Sequence, residues 1–567
     1  MNIFGNWGNA LRRNSLLIVL SILLPTFGIS NSVIAAEQVY ASYSGLEISI
    51  PIKVLESYAK YSIIGTDLAN YYQYVPIKQL NELREILIQS LKISPSVAAQ
   101  FLDTQQGEFI LQRLAKLIKT SWSTKESKSD ALRRALIAAA AEPEGINLLN
   151  LLRKYPHNSI SIDIISGMQI ARELRTMINM NEQAIATIKK QSNSETAAIL
   201  SEKLFQFPKL ATQGNLPVKK ETLTFFDSIR NRHLSTDIYI PYSQTTVPII
   251  VISHGLGLDS SNFHYLGNYL AEHGFAVVIP NHPGSDTQQL QSLIKGNNNL
   301  VPDAHEFKDR PLDIKYILDQ LEADYKFRHR LNLQQVGIFG QSLGGYTALA
   351  LAGAKINFEQ LEKDCHEVKL RDTWNMSLFL QCRALELAKK SQLEDNLQDH
   401  RIKAVIAVNP ITSSIFGQAG LSQIHSPVMI VGSSEDTVAP ALYEQILPFT
   451  WITHPQKYLV MLIGGTHFST IGNSNPDSKQ IELSKDMVGD TSQAYHYINS
   501  LSLPFFQTYV ANKPEYLPYL NAAYAQSISS QSLGLNLVQS LDQTQLPQIL
   551  DNLPQKNNTV KKNFPIP

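Results

Sequence analysis

The sequence predicts an α/β protein: a mostly parallel eight-stranded sheet between helices, preceded by a mainly helical region. Three observations carry that prediction. From about residue 220, short apolar β-rich runs alternate with helical stretches, the signature of a parallel sheet covered on both faces. Before that point, apolar residues recur at helical spacing instead. At residues 336–351 a β-rich run turns sharply through Gly-x-Ser-x-Gly into a helical run, a turn that belongs at the edge of such a sheet.

Composition narrows the classes. Of 567 residues, 44% are hydrophobic and 17% charged, which is ordinary for a globular protein. Lys+Arg and Asp+Glu both number 49, so the chain lacks the basic excess that displaces counterions from nucleic acid. With only 2 cysteines, Cys-based zinc ribbons and disulfide-dense scaffolds are excluded.

Taken in order, the first segment reads as an export signal at 1–36. Arg12 and Arg13 precede the apolar run Leu16–Leu24, and small residues close the segment at Ala35 and Ala36. The run is shorter than the ~20 residues of a comfortable span. The mature chain is therefore expected in the periplasm or outside the cell, with an uncleaved anchor as the alternative. Residues 37–190 read as mainly helical: Leu80, Leu83, Leu87 and Leu91 share one face, as do Phe109, Ile110, Leu114, Leu117 and Ile118. Met168, Met177 and Met180 read as core rather than as a lipid-binding surface. This region holds no chemistry-bearing cluster, and reads as a scaffold, an envelope-attachment module or a cover for a pocket. Residues 191–219 are polar and read as a linker.

The α/β domain is placed at 220–525. Its strands are expected at Glu221–Phe226, Thr236–Ile240, Val247–Ser253, Phe275–Pro280, Val336–Phe339, Ala404–Val408, Val428–Val431 and Tyr458–Ile463. Residues 355–400 read as a lid-like insertion containing Cys365 and Cys382, which an oxidising compartment would favour as a disulfide. Residues 526–567 are Gln-, Ser- and Asn-rich and read as a polar tail.

The chemistry lies at the ends of these strands. Ser342 sits where strand meets helix, with Gly340 and Gly344 where the two crowd together and side chains do not fit. The bare pentapeptide would arise by chance roughly 0.1 times in such a chain, so its strand–turn–helix setting carries the assignment. A serine hydroxyl needs a base, and the base an orienting acid. Strand Val428–Val431 leads to Asp436, in G-x-x-x-D-x-x-x-P, and strand Tyr458–Ile463 leads to His467. That gives a candidate Ser342–Asp436–His467 triad. Two backbone N–H groups should hold the oxyanion: Leu343, after the nucleophile, and Leu256, in His254-Gly255-Leu256-Gly257 after Val247–Ser253. His254 reads as structural, and Asn281–Gly284 as a candidate pocket wall.

The motifs SHGLG at 253–257, HGFAVVIPNH at 273–282, GQSLGG at 340–345 and GGTHF at 464–468 resemble platelet-activating factor acetylhydrolases and bacterial predicted dienelactone hydrolases. The resemblance covers roughly 220–510. It implies an α/β-hydrolase fold and ester hydrolysis through an acyl-serine, with no metal and no organic cofactor. Residues 37 to about 165 resemble an uncharacterised domain preceding such hydrolases in bacterial envelope proteins. One position departs from the animal acetylhydrolases: where their acid follows the strand after the elbow helix, this chain has Asn409-Pro410. Asp436, one strand later, is the expected acid, which weakens the case for a phospholipid substrate. The expected function is a carboxylic ester hydrolase, resembling 1-alkyl-2-acetylglycerophosphocholine esterase, acting on a small-molecule or lipid ester in lipid catabolism. Peripheral membrane or envelope contact stays open, as does oligomeric state. The alternatives are a peptidase or polymer-ester hydrolase on the same triad, or a non-catalytic binding protein of the same fold.

Overall fold

The computed structural model describes residues 36–43, 46–61, 84, 87–88, 90, 95–103, 105–119, 127–202, 210, 214–294, 302–366, 373–388, 396–472, 488–541 and 546. The expected export signal lies outside these residues, apart from Ala36, as do Leu80, Leu83 and Leu91.

Nine strands form the main sheet: β5 (Val218–Asp227), β6 (Arg232–Pro241), β7 (Val247–Ser253), β8 (Ala276–Pro280), β9 (Leu331–Gln341), β10 (Ile402–Val408), β11 (Val428–Ser433), β12 (Lys457–Ile463) and β13 (Gly534–Val538). Their order is β13-β12-β11-β10-β9-β7-β8-β6-β5. From β12 to β8 every neighbouring pair is parallel, and the antiparallel pairs lie towards the two edges. Adjacent residues point to opposite faces, and both faces are buried. Ile249, Val251 and Ile338 join one core, while Ile250, Ile252 and Phe339 join the other. Helices α7 (His264–Glu272), α8 (Thr287–Ile294) and α9 (Glu306–Ala323) come between β7 and β9 in the chain; α10 (Leu343–Leu351) packs on the first face and α13 (Thr491–Tyr509) on the second.

The chain runs from β7 to β8 on one side and then returns to β9 on the other. Strand order reverses there, so the loops after β7 and β9 open a crevice at the carboxyl ends of the strands. Register aligns those ends: Ser253 pairs with Gly340, Gln341 with Val408, Val408 with Val431, and Ser433 with Leu462.

The N-terminal region contains helices α1 (Ile52–Tyr61), α2 (Pro95–Leu102), α3 (Gln105–Ala115), α4 (Lys128–Ala140) and α5 (Leu148–Lys154). It also holds a small sheet of order β2-β1-β4-β3, built from Gln38–Tyr43, Leu46–Pro51, Ile118–Lys119 and Ser159–Asp163. Helix α6 then spans Ile164–Glu202. Residues 191–202, expected in a linker, are instead its last turns. The reason is a stripe at four-residue spacing: Ala184, Ile188, Ser192 and Thr196 are all buried, so small polar side chains continue an apolar contact face. Met180 belongs to the same buried face; the Met168 side chain lies outside the described set.

Strand β13 falls in the segment expected to be a polar tail. Leu535, Leu537 and Val538 are buried as it closes the sheet against β12. Among the described residues, no helix is long and apolar enough to cross a membrane.

The insertion after α10 carries α11 (Phe358–Asp364) and α12 (Met376–Cys382), and a disulfide joins Cys365 to Cys382, with Cα atoms 5.5 Å apart. Buried Glu444 anchors α12. Its carboxylate accepts from Asn375 Nδ2 at 2.5 Å and Gln381 Nε2 at 2.9 Å, and from the Thr412 and Ser413 N–H groups at 2.7 and 2.9 Å. A buried carboxylate is stable only when saturated with donors in this way. Replacing both cysteines by serine should lower stability by about 3 kcal/mol, the loop-closure contribution of a crosslink this short. Denaturant midpoints of the oxidised protein and the double variant, compared with the reduced protein, check this.

Candidate active site

The elbow is built by crowding. Ser342 has φ 55° and ψ −117°, a region that side-chain-bearing residues rarely adopt. The conformation lets β9 reverse into α10 while the side chain projects from the turn. Ser342 N–H donates to the Val408 carbonyl at 2.8 Å, locking the turn to β10. A Cβ at Gly340 would lie 2.0 Å from the Gly344 carbonyl oxygen, and one at Gly344 would lie 2.0 Å from that of Ser253. These glycines are therefore required by close backbone approach.

Three expected residues meet at this turn. His467 Nε2 lies 2.9 Å from Ser342 Oγ, and His467 Nδ1 lies 2.7 Å from Asp436 Oδ2. All three are buried; Ser342 is 8% exposed and His467 4%. The Val438 and Ala439 N–H groups donate to Asp436 Oδ1 at 2.9 and 2.7 Å, which leaves Oδ2 for the histidine. The His467 backbone is braced too: its carbonyl accepts from Gln341 Nε2 at 3.1 Å and Asn409 Nδ2 at 3.3 Å. Asn409, noted in the sequence only for lacking a carboxylate, thus supports the histidine loop.

The loop after β7 is clamped from behind. Arg310, fully buried on helix α9 (Glu306–Ala323), donates to the His254 carbonyl at 2.6 Å and the Gly255 carbonyl at 3.3 Å. His254 Nε2 accepts from the His282 N–H at 3.1 Å, so its proton is on Nδ1, which donates to the Gly255 carbonyl at 2.7 Å. Burial and the Arg310 charge hold both imidazoles well below the usual histidine range, so they are neutral. Every peptide bond described is trans, so pinning the Gly255 carbonyl turns the Leu256 N–H away from Arg310. Among the described residues neither Leu256 N–H nor Leu343 N–H has a hydrogen-bond partner. Both are thus free to meet an anion, and α10 adds the positive end of its dipole.

Arg310 reaches its counter-charge through Ser285: its Nε donates to Ser285 Oγ at 2.8 Å, and Ser285 Oγ donates to Glu306 Oε2 at 2.5 Å. Burial pulls Arg310 down to about 10 and pushes Glu306 up to about 7. His282, expected as a pocket wall, is instead inside this network, between Ser253 Oγ at 3.0 Å and Asp313 at 3.1 Å. Asn281 accepts from the Ser260 N–H at 2.7 Å and is likewise structural. Sequence reading missed Arg310, Gln341 and Asn409, because nothing local marks a polar residue whose partner is distant. Among the described residues no group of acidic, histidine or cysteine side chains could hold a metal ion.

The sheet order, the elbow and the loop positions are those of the α/β-hydrolase fold. Residues 248–379 match the family described as alpha/beta hydrolase fold, and residues 35–163 match one described as an alpha/beta hydrolase of unknown function. No curated protein matches the chain. The protein is accordingly a hydrolase of α/β-hydrolase fold. The second match lies wholly in the N-terminal region, outside the nine-stranded sheet.

Gly344→Ala should cost ~3 kcal/mol or more, because the Ser253–His254 backbone that the new methyl would meet cannot yield. Thermal unfolding of the purified variant checks the size of the loss.

Proposed function

We propose that the protein is an exported serine esterase that cleaves carboxylic esters through an acyl-serine intermediate. The observation that carries the reading is the continuous hydrogen-bonded chain Ser342–His467–Asp436 at the elbow of an α/β-hydrolase fold. Ser342 Oγ attacks the ester carbonyl carbon while its proton passes to His467 Nε2. The Leu256 and Leu343 N–H groups stabilise the resulting oxyanion, and Asp436 holds the imidazole in the tautomer this requires. Collapse breaks the bond to the alkoxy oxygen, which leaves as the alcohol with the proton from Nε2. Water then gives a proton to His467 and attacks the acyl carbon, and Ser342 Oγ departs taking the proton back. No electron or cofactor is needed for this balance.

The lipid-ester substrate class rests on the resemblance of 253–257, 273–282, 340–345 and 464–468 to platelet-activating factor acetylhydrolases and dienelactone hydrolases. Export rests on the pattern of residues 1–36.

Intact mass after fluorophosphonate treatment tests the reading. One adduct on the wild type and none on Ser342→Ala is expected. Asp436→Asn should still fold but lose roughly 10⁴ in kcat, since the amide favours the wrong tautomer. Equal labelling of wild type and Ser342→Ala, or no label on folded wild type with detergent present, would overturn it.

A further inference from the structure

We infer that Asn181, on helix α6 of the N-terminal region, is a positioning residue for Asp436, so that this region is a working part of the catalytic unit. The inference rests on the acyl-serine reading above. Asn181 Oδ1 accepts from the Leu442 N–H at 3.1 Å, and its Nδ2 donates to the Ser434 carbonyl at 3.0 Å. Ser434 and Leu442 bracket the acid turn, Ser434 two residues before Asp436 and Leu442 at the start of the π turn Leu442–Ile446. One carboxamide therefore staples both ends of the turn that carries the acid.

The staple adds to what the turn does for itself. The Val438 and Ala439 N–H groups fix the Asp436 carboxylate within its own turn. The entry of the turn is tied to the His467 loop, Ser434 N–H donating to the Leu462 carbonyl at 3.0 Å and Glu435 N–H to the Gly465 carbonyl at 2.8 Å, whereas its exit from Val438 to Leu442 is held from outside. A misplacement of the order of 1 Å is enough to cost ~10²-fold in a reaction that depends on alignment. Two outside segments hold that exit. On one side Asn181 is held by a helix whose Met180, Ala184 and Ile188 are buried in the core of the catalytic domain. On the other, the Ser377 N–H of the insertion donates to the Val438 carbonyl at 2.9 Å.

The side-chain chemistry is specific. Both an acceptor and a donor are needed on one short planar group, which asparagine provides. Aspartate would keep the acceptor for Leu442 but set a negative oxygen against the Ser434 carbonyl. A plain docking role for α6 is served elsewhere on the helix, where Glu195 accepts from the Gln539 N–H at 3.3 Å. That contact lies away from the acid turn and supplies the control.

The test uses the full chain with Asn181→Ala, Asn181→Asp and Glu195→Ala, the aspartate variant being close in size should alanine fail to fold. Steady-state hydrolysis of p-nitrophenyl acetate is measured beside thermal unfolding and the far-downfield proton resonance of the His467 Nδ1–H···Asp436 bond. Both Asn181 variants should lose roughly tenfold in kcat with KM unchanged, and their downfield resonance should shift or broaden. Glu195→Ala should match the wild type in both. Asn181 variants with wild-type kcat and resonance would overturn the proposal. So would losses in Asn181→Ala and Glu195→Ala alike that simply follow their melting temperatures. A wild type without ester turnover would instead remove the acyl-serine reading, and the resonance would still show whether Asn181 sets the His–Asp geometry.

Discussion

The backbone of Ser342, held at φ 55° between β9 and α10, is the constraint on which the remaining architecture turns. A non-glycine residue in such a region costs about 1–3 kcal/mol and persists only where its surroundings over-determine it. Here they do. The Ser342 N–H is tied to Val408, glycines on both sides let backbone meet backbone, and α10 is wholly buried on one sheet face. The strain is what projects the hydroxyl out of the turn and towards His467 from a sheet that is otherwise regular.

Around that strained turn the protein spends its buried polar groups on braces. Arg310 and His254 hold the carbonyl that sets the direction of the Leu256 N–H. Gln341 and Asn409 hold the carbonyl of His467. Glu444 holds the insertion against the loops after β10 and β11. Each would be destabilising if left half-satisfied, so the same groups that fix the loops also penalise their displacement. The insertion is consequently bolted down at α12, close to the acid turn, and the N-terminal region meets that insertion through tilted aromatic rings. Phe109 on α3 lies 4.9 Å from Phe379 on α12, centroid to centroid.

How much of this was legible in the sequence depended on whether the signal was local. Eight strands were readable as apolar runs, and Ser342, Asp436 and His467 as turn motifs at strand ends, because each motif encodes the geometry of its own few residues. Strand β13 was not, since five residues set in a Ser- and Gln-rich stretch carry too little periodicity. The end of α6 was hidden because Ser192 and Thr196 do a packing job that polar residues usually do not. The braces were illegible for a different reason: Arg310 is 56 residues from its carbonyl partner at His254, and Asn181 is 253 from Ser434. Pairings of that kind are created by the fold and leave no pattern in the chain.

If Ser342 is the nucleophile proposed above, it becomes covalently acylated during ester hydrolysis. Rapid acid quench of the protein mixed with p-nitrophenyl acetate, followed by peptide mass mapping, reads this directly. A burst of nitrophenol close to one equivalent is expected, with a single acetyl group on the peptide containing Ser342 that disappears as turnover completes. Turnover without a burst and without acetyl at Ser342, or acetyl stably placed on another residue, would contradict it.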